Sequence, residues 1–427
     1  MLATSLAPWL MRHGIHYGWV IIGLTFLVSV CTSAAVSLPG VLLLPMITEF
    51  GWQRADVSGA MGLMLITFAL AAPFAGALLL RYGLRRIVVV AALMTALALV
   101  GTTQVTARWH LWASLGLMLG TAAGLVALSL SATVANRWFA QRRGLAMGIL
   151  TAAFAAGQLT FMPGAAWLAT NYGWRVATLP ALAGAAVAAL LYVLFGRDWP
   201  SDVGLPAYGE KEVRPPASGS AANAIGLSFT VLREAMAHRA FWVLAGTFFI
   251  CGLSTAGIIG QHFIPFCADN GVTAVVAASF LAMMGMFNFV GTIFSGWLSD
   301  RFDNRVLLAW YYGFRGLSLI WLPFSNFDVI SLSLFAVFFG LDFVATVPPT
   351  VKLTAQHFGP TKAPIVFGWA FASHQLGGAL SAFGSGLSRD AWATYMPAYV
   401  TIGMACLLAA TAVFTMRDIR MAMARAG

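Results

Sequence analysis

Charge is what this chain most lacks. Of 427 residues only 14 are Asp or Glu and 24 are Lys or Arg, so charged side chains make up 9%. A soluble domain carries about 25%. With 60% hydrophobic residues, no water-soluble core could hide the apolar surface that remains. Cysteine is scarce as well. Cys31, Cys251, Cys267 and Cys406 lie in or beside apolar stretches and form neither a disulfide framework nor a CxxC metal pair. There is no Walker lysine, and the glycine-rich runs follow no strand–helix unit, which argues against phosphate loops and direct ATP drive. No Lys/Arg cluster alternates with aromatics in a soluble segment, so the net charge of +10 does not indicate a nucleic-acid partner. A polytopic membrane enzyme would need clustered acids or His ligands at one membrane edge. A membrane sensor would need a long soluble output domain. The sequence offers neither, and no cofactor or metal is expected.

What is present is a series of apolar runs of about 20 residues, each long enough to cross a hydrocarbon layer about 30 Å thick. They fall at 19–43, 57–80, 87–106, 111–135, 145–168, 176–195, 241–266, 274–298, 306–325, 329–350, 364–387 and 395–415. The pattern is six spans, a break, then six. No cleavable signal peptide is expected ahead of span 1, because the apolar run after Arg12 and His13 is too long for one. Residues 196–240 hold Pro, Ser, Gly and mixed charge and read as a linker, with a short interfacial helix over Leu227–His238. The domains are therefore 1–195, a linker 196–240, and 241–427.

The two groups of six are copies. Displacing the chain by 220 positions places Pro45 on Pro265, Glu49 on Asp269, Gly76 on Gly296, Arg81 on Arg301, Arg85 on Arg305, Gly120 on Gly340, Arg142 on Lys362 and Gly157 on Gly377. Glycines, prolines and charges carry backbone and topological meaning, so their coincidence signals two parallel membrane repeats with a site between them.

Positive charge sets the orientation. Placing the N-terminus and every even-to-odd connection in the cytoplasm leaves only Arg54, Arg108, Arg175 and Arg389 in the outer loops. Both termini are then expected in the cytoplasm.

The connection after span 8 reads Gly296-Trp297-Leu298-Ser299-Asp300-Arg301-Phe302-Asp303-Asn304-Arg305. The one after span 2 carries Gly76, Leu78, Arg81, Gly83 and Arg85. The pattern G-x-L-x-D-R-x-G-x-R resembles the loop motif of the major facilitator superfamily, at the expected place in each half. The resemblance implies an all-α membrane protein of twelve transmembrane helices in two parallel six-helix repeats. It also implies a gating role for Gly76, Arg81, Arg85, Gly296, Asp300, Arg301 and Arg305. The first copy has Leu80 where the motif has its Asp. Within that superfamily, three stretches resemble the monocarboxylate and oxalate/formate carriers: Glu49-Phe50-Gly51-Trp52, the run from Trp138 to Gly148, and Gly173-Trp174-Arg175. Many carriers of that branch place an anion-binding Arg one turn before the span-8 glycine. Here that position is Thr292, with Asn288 a turn earlier.

Two charges lie at membrane depth. Arg315 in span 9 and Asp342 in span 10 each reach the midplane at 1.5 Å per residue, as does His374 in span 11. An isolated ionised side chain there costs on the order of 3 kcal/mol or more. One reading gives Arg315 to an anionic substrate and Asp342 and His374 to proton coupling. The other makes Arg315 and Asp342 a static lock between spans 9 and 10, and His374 a helix-packing residue. Polar stripes also run along span 1 (Thr25, Ser29, Ser33, Ser37) and span 8 (Asn288, Thr292, Ser295, Ser299). Gln158 in span 5, and Gln261 with His262 in span 7, are further cavity candidates.

The expected function is secondary transport of a small solute by alternating access, driven by an ion or solute gradient. The leading cargo is a small organic anion such as a monocarboxylate, with protons as coupling partner. A neutral or hydrophobic solute is the alternative. The expected setting is the inner (plasma) membrane, as a monomer.

Overall fold

The chain builds helices because its apolar runs must satisfy every backbone N–H and C=O internally once water is excluded. The computed structural model describes residues 2–126, 128–213 and 224–416, and no strand forms among them. Span 1 is Gly18–Ser37 continued by Pro39–Phe50, longer than the apolar run suggested, because Pro39 and Pro45 are absorbed within the rod. Spans 2 and 3 are Arg54–Tyr82 and Leu84–Thr103. Span 4 runs from Arg108 to Trp138 in several pieces, with an interruption after Leu125. Spans 5 and 6 are Arg143–Tyr172 and Trp174–Phe195. Span 7 runs from Arg239 to Asp269 and span 8 is Ala274–Ser299. Span 9 is Asn304–Trp321. Span 10 begins as Val329–Asp342, breaks, and resumes at Val347. Gly359, at φ +77°, turns the chain into span 11, which ends at Trp392. That backbone conformation suits glycine and strains other residues. Span 12 is Met396–Ala412. Among the described residues, nine helices are long and apolar enough to cross a membrane by length and composition.

The repeat is visible in atomic packing. Span 4 lies on span 2 so closely that a Cβ on Gly120 would strike the Met64 carbonyl. Span 10 lies on span 8 in the same way, and a Cβ on Gly340 would strike the Met284 carbonyl. Met64 and Met284 are one repeat period apart. Small residues of this kind let helices approach where lipid offers no hydrophobic drive to associate. The halves meet where span 11 packs on span 2, with Gly62 against Ala379 and Phe383, and where span 8 packs on span 5.

The described chain enters span 1 and leaves span 12 at one end of the bundle, here called the near end; the opposite end is the far end. A helix over Leu2–Arg12 buries Ala3, Ala7 and Leu10 and exposes Trp9 and Met11. The linker is structured at both its edges. His16 bonds to the Pro206 carbonyl at 3.0 Å, and Phe139 pairs with Tyr208. The expected short helix is Ala224–Met236, tied to span 11 by Glu234 and Lys362 at 2.6 Å.

Candidate functional site

A cavity opens at the seam between the halves. Span 1 contributes Ser37, span 5 Met162, and span 7 Ile259 and Gly260. Span 8 contributes Leu281, Met284, Gly285 and Asn288, and span 10 contributes Phe343. No charged side chain is among these lining residues. The polar groups are Asn288 and Ser37, whose buried hydroxyl has no hydrogen-bond partner.

Phe343 stands in the break of span 10, and the break explains much of the polar chemistry around it. A helix end leaves backbone N–H and C=O groups without intrahelical partners, which is costly away from water. Side chains of spans 8 and 9 take them up. Asn288 Oδ1 accepts from the Val344 N–H at 3.1 Å, and the Thr292 hydroxyl donates to the same oxygen at 3.0 Å. Ser295 donates to the Ala345 carbonyl at 2.6 Å. From span 9, Arg315 Nη2 donates to the carbonyls of Asp342 at 2.6 Å and Phe343 at 3.3 Å. The span-8 stripe thus faces span 10 as its fastening.

Arg315 and Asp342 do meet. Nε donates to Asp342 Oδ2 at 2.5 Å, with the arginine side chain 0% exposed. Nη1 reaches Cys251 Sγ at 2.9 Å and Ser254 Oγ at 3.4 Å in span 7. A guanidinium has five N–H groups, and this set of acceptors engages all three nitrogens. Arg315 therefore clamps the span-10 break and offers no free donor to a solute in this state. Asp342 keeps one buried oxygen, Oδ1, without a partner.

His374 is held apart from this pair. Its Nε2 lies 3.2 Å from the Thr255 hydroxyl and its Nδ1 2.8 Å from Gln375 Oε1, with the ring stacked on Phe371. The hydroxyl of Thr255 bonds to the Cys251 carbonyl at 2.7 Å, so span 7 stands between His374 and Arg315. Ser29 is buried on span 1. The side chain of Gln158 lies outside the described residues.

The near end carries the loop motif, and its groups bond within their own halves. Asp300 pairs with Lys352 of span 10 at 2.6 Å, and Lys352 also donates to the Ser299 carbonyl. The hydrogen bond from Lys352 holds the Asp300 carboxyl below the usual carboxylate range. Arg305 pairs with Asp303 and donates to the Met416 carbonyl at 3.2 Å. Arg301 lies over Trp297 and Arg81 over Tyr82. In the first half Arg85 donates to the Val193 carbonyl, and its own N–H is capped by Asp198 at 2.7 Å. The linker thus brings an acid to the loop whose motif has Leu80. A Cβ added at Gly76 or Gly296 meets open space, so neither glycine marks a close approach here.

The far end differs, and sequence reasoning, which named Gln261 and His262 there as cavity candidates, passed over its ion pairs. Arg54 at the start of span 2 pairs with Asp269 at 2.7 Å and donates to the Tyr395 hydroxyl at 3.0 Å. Asp390 Oδ2 accepts from the Ala55 N–H at 2.7 Å, and Arg389 pairs with Asp269 at 2.6 Å. These bonds from Arg54 and Ala55 to the second half join the two six-helix halves. The one available signal was that Arg54 and Arg389 are rare cations on an otherwise cation-poor side.

Two structurally repeated halves, broken helices facing a seam cavity, and polar closure at one end are the anatomy of a carrier. The family model described as Major Facilitator Superfamily matches residues 25–382. The chain belongs to the major facilitator superfamily. It is 27% identical over 403 residues to monocarboxylate transporter 13 of Rattus norvegicus, covering 93% of this chain and 88% of that one. It is 26% identical over 398 residues to an uncharacterized MFS-type transporter, YcxA, of Bacillus subtilis, covering 89% and 90%. Among solved structures, it resembles a bacterial homolog of the human lysosomal transporter Spinster in an inward-facing and unoccupied conformation. The TM-score is 0.67 and the identity 16%, over 93% of this chain and 95% of that one. At that identity the likeness concerns the fold. The protein is a membrane transporter of this superfamily, and its helices and cavity are those of a non-enzymatic carrier.

Proposed function

We propose that this carrier moves a small organic acid of the monocarboxylate class, together with one proton, by alternating access. The cavity carries the argument. Its walls are apolar apart from Ser37 and Asn288, and the nearby buried cation is spent on Asp342 and two carbonyls. An ionised carboxylate placed there would lose its hydration without gaining a counter-charge, at a cost of several kcal/mol. A carboxylate moved with its proton avoids that cost and crosses electroneutrally. The named monocarboxylate transporters among the relatives support the substrate class. By the positive-inside rule the near end faces the cytoplasm in the inner membrane, so the closed far end corresponds to an inward-facing state. Residues 1–195 and 241–427 are the moving bodies, joined by 196–240.

The test is uptake of radiolabelled short monocarboxylates into proteoliposomes. Uptake should follow an imposed pH gradient and stay unchanged when valinomycin and potassium set the membrane potential. Uptake that follows the potential and ignores pH would overturn the reading. The same apolar walls suit a neutral or hydrophobic solute. That second reading gains if only such solutes raise the melting temperature of the purified protein.

A further inference from the structure

The far-end closure contains a histidine that the transport reading leaves unused. His262 in span 7 is fully buried, and its two ring nitrogens have different partners. Nε2 lies 2.6 Å from the Ala382 carbonyl of span 11, and Nδ1 lies 3.1 Å from the Tyr395 hydroxyl. A carbonyl only accepts, so Nε2 must carry the hydrogen. In the neutral ring Nδ1 then accepts, and the Tyr395 hydroxyl must donate to it. That leaves the tyrosine oxygen free to accept from Arg54 Nη1 at 3.0 Å, the bond that crosses between the halves. The hydrogens of the chain are assigned in one direction: Arg54 to Tyr395 to His262 to Ala382.

We propose that His262 is a proton-binding site that controls closure of the far end. Closure holds when the ring is neutral. A proton on Nδ1 turns that nitrogen into a donor facing the tyrosine oxygen, and the tyrosine hydrogen loses its acceptor. It also places a second positive charge one hydroxyl away from Arg54. The charged and titratable groups around the histidine do not compensate. Span 2 supplies Arg54 itself. Asp269 of span 7 is already held by Arg54 and Arg389, and Asp390 of span 11 by the Ala55 N–H. Tyr399 of span 12 and Cys267 of span 7 are neutral, buried groups without charge to offer. No carboxylate bonds to His262 among the described residues. In the far-open arrangement the Arg54–Tyr395 bond is gone, the ring meets far-side water, and the proton comes from and returns to that water.

The same end holds other groups that closure leaves without partners. Ser58 of span 2, Gln261 Oε1 of span 7, and Ser381, Ser385 and Ser388 of span 11 are buried polar atoms lacking a hydrogen bond. They find partners when water enters. The closed far end is thus one of two states, held by the latch that His262 finishes.

The experiment is a pulsed-EPR distance across the far end of the full chain in nanodiscs, with spin labels at Thr48→Cys and Ala391→Cys on opposite halves. Between pH 8 and pH 5 the long-distance (far-open) population should rise, by up to about tenfold per pH unit for one linked proton. His262→Gln keeps a donor for Ala382 and an acceptor for Tyr395 but cannot bind the proton. It should close normally and show no pH response. Tyr395→Phe, which removes the transmitting hydroxyl, should blunt the response while keeping His262. A wild-type population that does not move with pH overturns the proposal. So does a His262→Gln protein that responds like wild type. Neither readout uses a cargo, so both are independent of which solute is carried.

Discussion

The two halves solve one problem in two ways. Each interrupts the fourth helix of its set, after Leu125 in span 4 and after Asp342 in span 10, close to the same place in the repeat but three residues out of register. Around the second break stand Arg315, Asp342 and Cys251, with Asn288 behind them. Around the first, the corresponding residues are Thr95, Ala122, Cys31 and Phe68. Thr95 satisfies itself by donating to the Ala91 carbonyl at 2.9 Å, and Cys31 packs with Ala96 and Ala185. One half therefore fills the address with uncharged groups, and the other with a buried ion pair. The fold tolerates both. The pair is thus not required to make a broken helix at this place. Once present, though, each partner depends on the other, because an uncompensated buried charge is expensive.

Breaking that comparison should give the largest effect. Arg315→Ala or Asp342→Ala alone is expected to lose about 3–5 kcal/mol, the penalty of a stranded buried charge. The double variant Arg315→Thr, Asp342→Ala copies the first half and should recover most of the melting temperature. Fluorescence-detected size exclusion and thermal melts of all three check this. Transport by the recovered double variant then separates the two roles. A static clamp leaves uptake intact, whereas a coupling pair leaves a folded protein that no longer responds to pH. Two stable single variants with no recovery in the double would show that the contact does not matter in the membrane.

A middle-sized effect sharpens the likeness of the halves. Gly120→Ala and Gly340→Ala each drive a methyl group into a methionine carbonyl of the neighbouring helix. Overpacking of this kind costs about 1–3 kcal/mol. The two variants should melt lower by similar amounts. A large difference between them would mean that the repeats no longer pack alike.

The smallest stability effects, and the clearest kinetic ones, lie in the near-end loops. Asp300→Asn should slow turnover several-fold at neutral pH with little change in substrate affinity, because Asp300 sits far from the cavity. Its carboxyl is lowered by the Lys352 hydrogen bond, so the bond is complete above the unfolded carboxylate range and is lost as pH falls through the lowered value. Acidifying the near side should slow the wild type toward the variant and leave the variant unchanged. In the first half Asp198→Asn should resemble Asp300→Asn, whereas Leu80→Asp should shift stability by no more than about 0.5 kcal/mol. Initial-rate measurements over a range of cargo concentrations read each of these. A loss of affinity with normal turnover in Asp300→Asn would contradict a gating role.

Much of the protein was legible before any coordinates. The twelve spans, the repeat and the loop motif followed from apolar run length and from glycines and charges that recur one period apart. Arg315 and Asp342 could be paired because only two charges lie at that depth and both need an opposite sign. The far-end latch was not legible. His262 stood out as a polar residue in span 7 and Arg54 as a cation on a cation-poor side, but Arg54, Asp269, Tyr395 and His262 are separated by up to hundreds of residues, and nothing in the sequence joins them. Nor could sequence reveal that Asn288, Thr292 and Ser295 fasten a break in span 10, because the apolar run from 329 to 350 reads as one continuous helix.

The sequence by itself determined that this chain crosses a membrane twelve times in two copies of one pattern. Backbone hydrogen bonding allows only helices or closed barrels in a bilayer, and continuous apolar runs of about 20 residues select helices. Tertiary structure alone decided which polar groups are spent on the fold and which remain for transport. A polar side chain at membrane depth must find a partner, and only packing determines whether that partner is a backbone carbonyl, a residue of the other half, or the empty space of the cavity.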